Sequence, residues 1–385
     1  MTQRPPPRAF RDLPPSHFGD IVTPDVLRGQ PQRELIDLSR GNPDIPPPPV
    51  ALRALRSAAE QGESGWSHQY PPTHGLAELR SAIAGWYRRE HHVDLDPDTE
   101  VAVVPGTRAA ITLVMASTAD AGEQVLIPEP GYPDYLAAAA LCRTRGVPLP
   151  LDPSGAYQPD WSAVRNHQPS LVILNYPANP CAVCERTGTF ETAVEYCESR
   201  RAWLMHDFAY GYLTYGAVQA RSVLEVDGAR ELAVELWSAS KIFGMAGWRI
   251  GFAVGNSILI QRIKRLVDQY VAGIWPGLQD GLLAALRDPA PDTSRRVEIY
   301  RQRRDGVMAA LATSAIWAAM PEATFYIWCQ LPRGVTPEDI ANRCRIVGAP
   351  GSAFGRTLDG WMRISLTATD KIIDEVASRL SYALV

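Results

Sequence analysis

A chain of 385 residues is long enough for two or three compact units with large buried cores. With 46% hydrophobic residues, 21% charged residues and a net charge of -4, it has a globular composition without the basic field that gathers nucleic acid or an anionic membrane. The amino terminus lacks the apolar core of a signal peptide, and no later stretch stays apolar for about 18 residues, so a cytoplasmic protein without membrane association is expected.

Prolines dominate the first 50 residues, at Pro5 to Pro7, Pro14, Pro15 and Pro46 to Pro49, and are expected to break any regular element there. Residues 1–49 therefore read as an arm and linker. Between residues 70 and 275, short aliphatic runs alternate with helix-periodic segments such as Leu76 to Glu90, the pattern of an α/β domain with a largely parallel sheet. The predicted strands are Val101 to Val104, Val125 to Ile127, Leu171 to Leu174, Ala202 to Met205, Leu232 to Trp237 and Ile250 to Val254. An arginine-rich helix from Pro289 through Arg304, an alternating strand from Thr324 to Gln330 and a helix from Asp370 to Leu384 complete a smaller α+β unit. The division is 1–49, 50–288 and 289–385. Ligands on open α/β sheets gather at the carboxyl ends of strands, so polar residues just past each strand carry the argument.

Six cysteines, at 142, 181, 184, 197, 329 and 344, are too scattered for a disulfide framework and read as reduced thiols. Cys181 and Cys184 form a CxxC, but no second pair follows at zinc spacing, and no metal site is expected. Only three of the 38 basic residues are lysine, namely Lys241, Lys264 and Lys371. One of them sits in the most informative stretch of the chain.

That stretch is Ser238-Ala239-Ser240-Lys241-Ile242-Phe243-Gly244-Met245-Ala246-Gly247-Trp248-Arg249-Ile250-Gly251, directly after a predicted strand. Ser238, Ser240 and Arg249 offer two hydroxyls and a planar fork to a dianionic phosphate, and Lys241 offers an amine to an aldehyde. Gly244, Gly247 and Gly251 imply close backbone approach. The residues match S-x-S-K-x-x-G-x-x-G-W-R-x-G, the Schiff-base motif of the class I and II aminotransferases, at every fixed position. The chain therefore resembles that family, whose members have the pyridoxal-phosphate-dependent fold type I, with a large domain built on a mostly parallel seven-stranded sheet sandwiched by helices and a small α+β domain.

Further motifs follow in the family's order, so the resemblance spans roughly residues 35 to 370. Asn175-Tyr176-Pro177-Ala178-Asn179-Pro180 resembles its N-x-P-x-N-P turn, which implies that Asn175 donates to the cofactor's phenolate oxygen. Cys181-Ala182 stands where the family usually has Thr-Gly. His206-Asp207-Phe208-Ala209-Tyr210 resembles its D-x-x-Y. Asp207 is then the carboxylate that keeps the pyridine nitrogen protonated, and Tyr210 a second donor to the phenolate oxygen. Phe208 replaces the usual acidic residue. Gly106-Thr107-Arg108, at a helix start, looks like the phosphate cup. By the same resemblance Tyr132 stacks on the pyridine face, Arg363 binds the substrate α-carboxylate bidentately, and the backbone of Gly41 meets that carboxylate. Tyr70 matches the tyrosine that reaches the phosphate of a neighbouring subunit, which implies a homodimer.

The implied reaction is ping-pong transfer of an amino group between an L-amino acid and a 2-oxo acid, with Lys241 as the covalent anchor and proton carrier. Asp20 and Asp25 in the arm suit a cationic side chain, so a guanidino substrate of specialised metabolism is the finer expectation. Lyases, synthases and oxygen-using amino-acid oxidases share these motifs and remain the alternative. A ligand-sensing regulator needs a DNA-binding module, for which the proline-broken first 50 residues are too short. A nicotinamide dehydrogenase is disfavoured because no G-x-G-x-x-G follows the early strands.

Overall fold

Aliphatic runs without polar alternation make strands that are buried on both faces, and in the computed structural model, which describes residues 6–14, 35–61, 66–154 and 156–381, they form one eight-stranded sheet. In chain order the strands are β1 (Val101–Val104), β2 (Gln124–Glu129), β3 (Arg145–Asp152), β4 (Gln158–Pro159), β5 (Pro169–Leu174), β6 (Trp203–Asp207), β7 (Ala233–Ser238) and β8 (Gly251–Gly255). Across the sheet they are ordered β1-β8-β7-β6-β5-β2-β3-β4. Strands β7, β6, β5, β2 and β3 are mutually parallel, while β8 is antiparallel to both of its neighbours. The expected seven strands thus gain a two-residue antiparallel edge. Alternate residues feed two cores: Val172 and Leu174 point into one, Leu171 and Ile173 into the other.

Strand β3 is absent from the sequence reading because Pro148 and Pro150 interrupt it. Lying two residues apart, they direct their missing N–H groups to one side, where only β4 pairs, and that is the place a strand tolerates proline. The expected strand over 324–330 begins instead at Tyr326, since Thr324 has a left-handed backbone with φ of 66°. The arginine-rich helix runs further than expected, over Ala290–Leu311, and the last helix covers Asp370–Ser381. The proline-rich beginning also departs from expectation. A short helix, Arg8–Arg11, starts straight after Pro7, and another, Pro49–Ala59, has Pro49 as its first residue, the one helical position that needs no N–H.

A four-stranded antiparallel sheet, Trp317–Ala318, Tyr326–Gln330, Trp361–Ser365 and Ala349–Pro350, carries a third core. Leu38 and Ile45 pack into it, and Ile36–Asp37 pairs parallel with Ile346–Val347. The segment from 37 to 46 is held there by buried arginines of the helix Ala290–Leu311. Arg296 donates to the carbonyls of Ile45 (3.0 Å) and Pro46 (2.5 Å). Arg303 forks onto both carboxylate oxygens of Asp44 at 2.9 Å and also reaches Asp370 at 2.7 Å and the Leu366 carbonyl at 3.0 Å. Among the described residues, no helix is long and apolar enough to cross a membrane.

Removing one partner from such a cluster strands the others away from water. Arg303→Ala is expected to lower the free energy of unfolding by about 3 kcal/mol, measured by urea denaturation with an unchanged dependence on denaturant. A loss below about 0.5 kcal/mol would show that the cluster behaves as a surface ion pair.

Candidate active site

Strands β5, β6 and β7 end side by side, and their carboxyl ends deliver Asn175, Asp207 and Ser238 to one edge of the sheet. Together with residues from the 37–46 segment and the small sheet they wall a cavity of about 450 Å³. Its lining includes Gly41, Thr107, Arg108, Tyr132, Asn175, Asp207, Tyr210, Lys241 and Arg363 from the sequence reading, and Arg40, Asn42, Asn179, Ala209 and Tyr326 besides. Gly106, Ser238, Ser240 and Arg249 adjoin it without lining it. Tyr70 lies apart, 91% exposed in the single chain. Asp20 and Asp25 lie outside the described residues.

The Lys241 amine donates to the Gly41 carbonyl at 2.7 Å. Burial pushes this ammonium down from its ordinary value; Arg363 and Arg249 add to the effect, and Tyr326 and Asp207 oppose it. The other lysines are elsewhere: Lys264 is tied to the Asp98 carbonyl at 2.7 Å, and Lys371 is exposed. Gly106 opens the helix Thr107–Thr118 with φ of 78°, and a methyl there would sit 2.8 Å from the Arg249 guanidinium, so glycine leaves a gap between that helix start and a cation. Arg108 pairs with Asp134 at 2.5 Å. Gly244 and Gly251 make the close approaches expected of them, whereas at Gly247 a methyl would meet open space.

Asp207 carries the most informative contact. Its Oδ2 accepts from the Tyr135 hydroxyl at 2.7 Å, while Oδ1, buried, has no partner among the described residues. Burial pushes the carboxyl up from its ordinary value despite Tyr135, His206, the Ala209 backbone N–H and Lys241. Asn175 donates to the Asp207 carbonyl at 2.8 Å, and its side-chain oxygen accepts from the Asn179 N–H at 2.9 Å. Behind this strand end His206 joins Glu235 at 2.7 Å and the Tyr176 carbonyl at 2.8 Å. Phe208 points into the large core, against His206 and Trp237. The residue after Asp207 thus serves packing, which accounts for an aromatic there. Ala182 adopts φ of 58°, the left-handed conformation that favours glycine, so the Cys181-Ala182 turn keeps a glycine-like path with alanine.

Arg363 is set between two rings, its guanidinium carbon 4.0 Å from the Tyr326 ring centre and 4.7 Å from that of Phe354. Its Nη1 donates to Asn179 Oδ1 and its Nη2 to the Ser39 carbonyl, each at 2.7 Å. Stacking and these bonds fix the plane of the fork. Tyr135 and Tyr326 were invisible to the sequence reading. Each is an aromatic in a regular element, which reads as core until its hydroxyl is seen to reach Asp207 or Tyr210.

A buried amine, a helix start beside a guanidinium, a carboxylate with a bare oxygen and a guanidinium fixed between two rings share one edge of the sheet. These residues fit pyridoxal phosphate, since the unpartnered Oδ1 of Asp207 is what a protonated ring nitrogen would satisfy. The model of the family "aminotransferase class I and II" matches residues 33–380, and the chain belongs to that family. It is 30% identical over 378 residues to an L-glutamine–4-(methylsulfanyl)-2-oxobutanoate aminotransferase of Bacillus subtilis, covering 96% of this chain and 94% of the relative. It is 33% identical over 377 residues to an LL-diaminopimelate aminotransferase of Oleidesulfovibrio alaskensis, covering 96% of each. The solved structure of an aminotransferase from Staphylococcus aureus superposes with a TM-score of 0.88 at 31% identity, covering 97% of this chain and 98% of that one. The chain is accordingly a pyridoxal-phosphate-dependent aminotransferase of fold type I.

Because the folded, cofactor-free protein holds the Asp207 proton more tightly than the unfolded chain does, this group's contribution to stability is complete at acid pH. It is lost as pH rises through the raised folded value. Asp207→Asn stays neutral throughout. In thermal unfolding of cofactor-free protein, the variant should match wild type near pH 4 and exceed it near pH 8 by on the order of 1 kcal/mol, while binding pyridoxal phosphate more weakly. Parallel stability curves across pH would refute the assignment.

Proposed function

We propose that this aminotransferase moves an amino group between an L-amino acid and a 2-oxo acid in a ping-pong cycle, with Lys241 as both covalent anchor and proton carrier. The observation that carries the reading is the bare, buried Oδ1 of Asp207 in one cavity with Lys241 and Arg363. When bound, pyridoxal phosphate supplies a ring that accepts the electron pair released as the substrate Cα loses its proton. Asp207 would hold the proton on the ring nitrogen, and Tyr132 would pack against the ring. Asn175 and Tyr210 would donate to the phenolate oxygen. Gly106, Thr107, Arg108, Ser238, Ser240 and Arg249 would hold the phosphate through backbone N–H groups, hydroxyls and guanidinium forks. Arg363 and the Gly41 backbone orient the substrate carboxylate, which puts the Cα proton within reach of Lys241.

The homodimer belongs to this proposal. Its support is Tyr70, an aromatic left 91% exposed, whose hydroxyl would serve the neighbouring subunit's phosphate. We also retain the division into 1–49, 50–288 and 289–385, and a cytoplasmic setting in keeping with six unpaired cysteines. The finer reading, a guanidino substrate, rests on Asp20 and Asp25 alone, because Asp207 is the single acidic side chain among the described residues that line the cavity.

The direct test is the absorbance spectrum of purified protein with single amino acids added. Wild type should show a visible band that falls with a substrate amino acid and returns with a 2-oxo acid, and Lys241→Ala should lack the response. A band that never forms in wild type would remove the proposal. Arg363→Lys keeps the charge but loses the planar fork, and its kcat/KM should drop at least about tenfold. Sedimentation at micromolar concentration should give twice the chain mass.

A further inference from the structure

Tyr326 has no place in the roles assigned above, yet its phenol, 2% exposed, lines the cavity beside Tyr210 and Arg363. It opens the strand Tyr326–Gln330, which pairs antiparallel with Trp361–Ser365 and so brings it to the strand that carries Arg363. The Arg363 guanidinium carbon lies 4.0 Å from the ring centre. The Tyr326 and Tyr210 rings meet edge to face with centres 5.8 Å apart, and their oxygens are 3.1 Å apart, within hydrogen-bond distance. A methyl at Gly41 would sit 1.7 Å from the Tyr326 oxygen, so only glycine there leaves the hydroxyl its place against Tyr210.

We propose that Tyr326 is a positioning residue that acts through Tyr210: its hydroxyl donates to the Tyr210 oxygen and so aims the Tyr210 proton at the cofactor's phenolate oxygen. The inference rests on the role given to Tyr210 above. A phenol has one proton to give. With the Tyr210 proton directed to the cofactor, the bond between the two tyrosines has to be donated by Tyr326. A hydroxyl that accepts one hydrogen bond becomes a stronger donor of the next, by about 10 to 30% per bond in a chain. No proton changes owner, and Tyr326 itself touches neither cofactor nor substrate in this scheme.

The surroundings agree with this direction of donation. The charged and titratable groups around the pair are Arg363 on the small sheet, Lys241 in the turn after β7, and Tyr132, which adds to the setting of Tyr210. Burial pushes both phenols up, but Arg363, Lys241 and the bond to Tyr210 bring Tyr326 below its ordinary value, whereas Tyr210 stays well above it. Arg363 against the ring draws charge away from the Tyr326 hydroxyl. The more acidic phenol is the better donor, and the less acidic one the better acceptor.

The test titrates the visible band of full-length, cofactor-loaded protein against pH in wild type, Tyr326→Phe, Tyr210→Phe and the double variant. Donors to the phenolate oxygen spread its negative charge, so the proton that the Lys241 nitrogen holds beside it leaves at lower pH. Tyr326→Phe should therefore raise the midpoint by about 0.5 pH unit, roughly threefold in proton affinity, and Tyr210→Phe should raise it further. In the Tyr210→Phe background the second substitution should move it by less than about 0.1 unit, since the hydroxyl through which Tyr326 acts is already gone. Pyridoxal phosphate added to cofactor-free protein should bind Tyr326→Phe about threefold more weakly than wild type. KM for the amino acid should change by less than about twofold, because the phenylalanine ring still packs against Arg363. A midpoint unmoved in Tyr326→Phe overturns the inference, and a raised KM beside it would make Tyr326 packing for Arg363 only. An equal shift in both backgrounds also overturns it, since the phenol would then act without Tyr210. A midpoint unmoved by Tyr210→Phe would overturn the role of Tyr210 itself, and the inference with it.

Discussion

A carboxyl group kept out of water with one oxygen unbonded is costly, and Asp207 is such a group at the end of a central strand. The surroundings are arranged to hold it there. Tyr135 satisfies the other oxygen, Asn175 takes up the Asp207 carbonyl, and the His206–Glu235 pair braces the strand from the opposite face. Glu235 would itself be pushed up by burial, but its bonds to His206 and Tyr87 hold it below the ordinary carboxylate range. A cationic ring nitrogen at the free oxygen would offset the cost of that burial, and the cofactor would then complete the protein's electrostatics as well as its chemistry.

The substrate side obeys a different constraint. It depends on the segment from 37 to 46, whose carbonyls hold two cavity residues: Ser39 holds Arg363, and Gly41 holds Lys241. Such a segment has no extensive sheet of its own to stiffen it. Stiffness comes from Arg296 and Arg303, which clamp Asp44, Ile45 and Pro46 from the longest helix. An arginine-rich helix looks like a solvated surface in sequence, and here two of its guanidinium groups are buried to serve the site.

The parts legible in sequence were those whose chemistry is local. Lys241 and its flanking hydroxyls and glycines lie within one short stretch, Asn175 follows an aliphatic strand, and Asp207 closes an apolar one. Contacts made across the fold left no local trace. Tyr326 reaches the site through pairing with a strand some 35 residues later, and Tyr135 through a helix that reads as ordinary core. Strand β3 was hidden because its prolines are permitted only by an edge that is mostly unpaired, a property of the sheet and not of the segment. Gly247 shows the converse error, since a glycine inside a strong motif was credited with a close approach that the fold does not make.

The clamped segment separates two parts of the cavity wall by how they are held. Lys241, Asp207 and Asn175 are anchored in the large sheet or the turns leaving it, whereas the cavity wall at Arg40 to Asn42 is a tether pinned by side chains. Changes at Arg40 or Asn42 alter that wall without breaking a strand or disturbing Asp207. Substitution there can change what the cavity admits while the amine, the carboxylate and the strands that carry them stay in place.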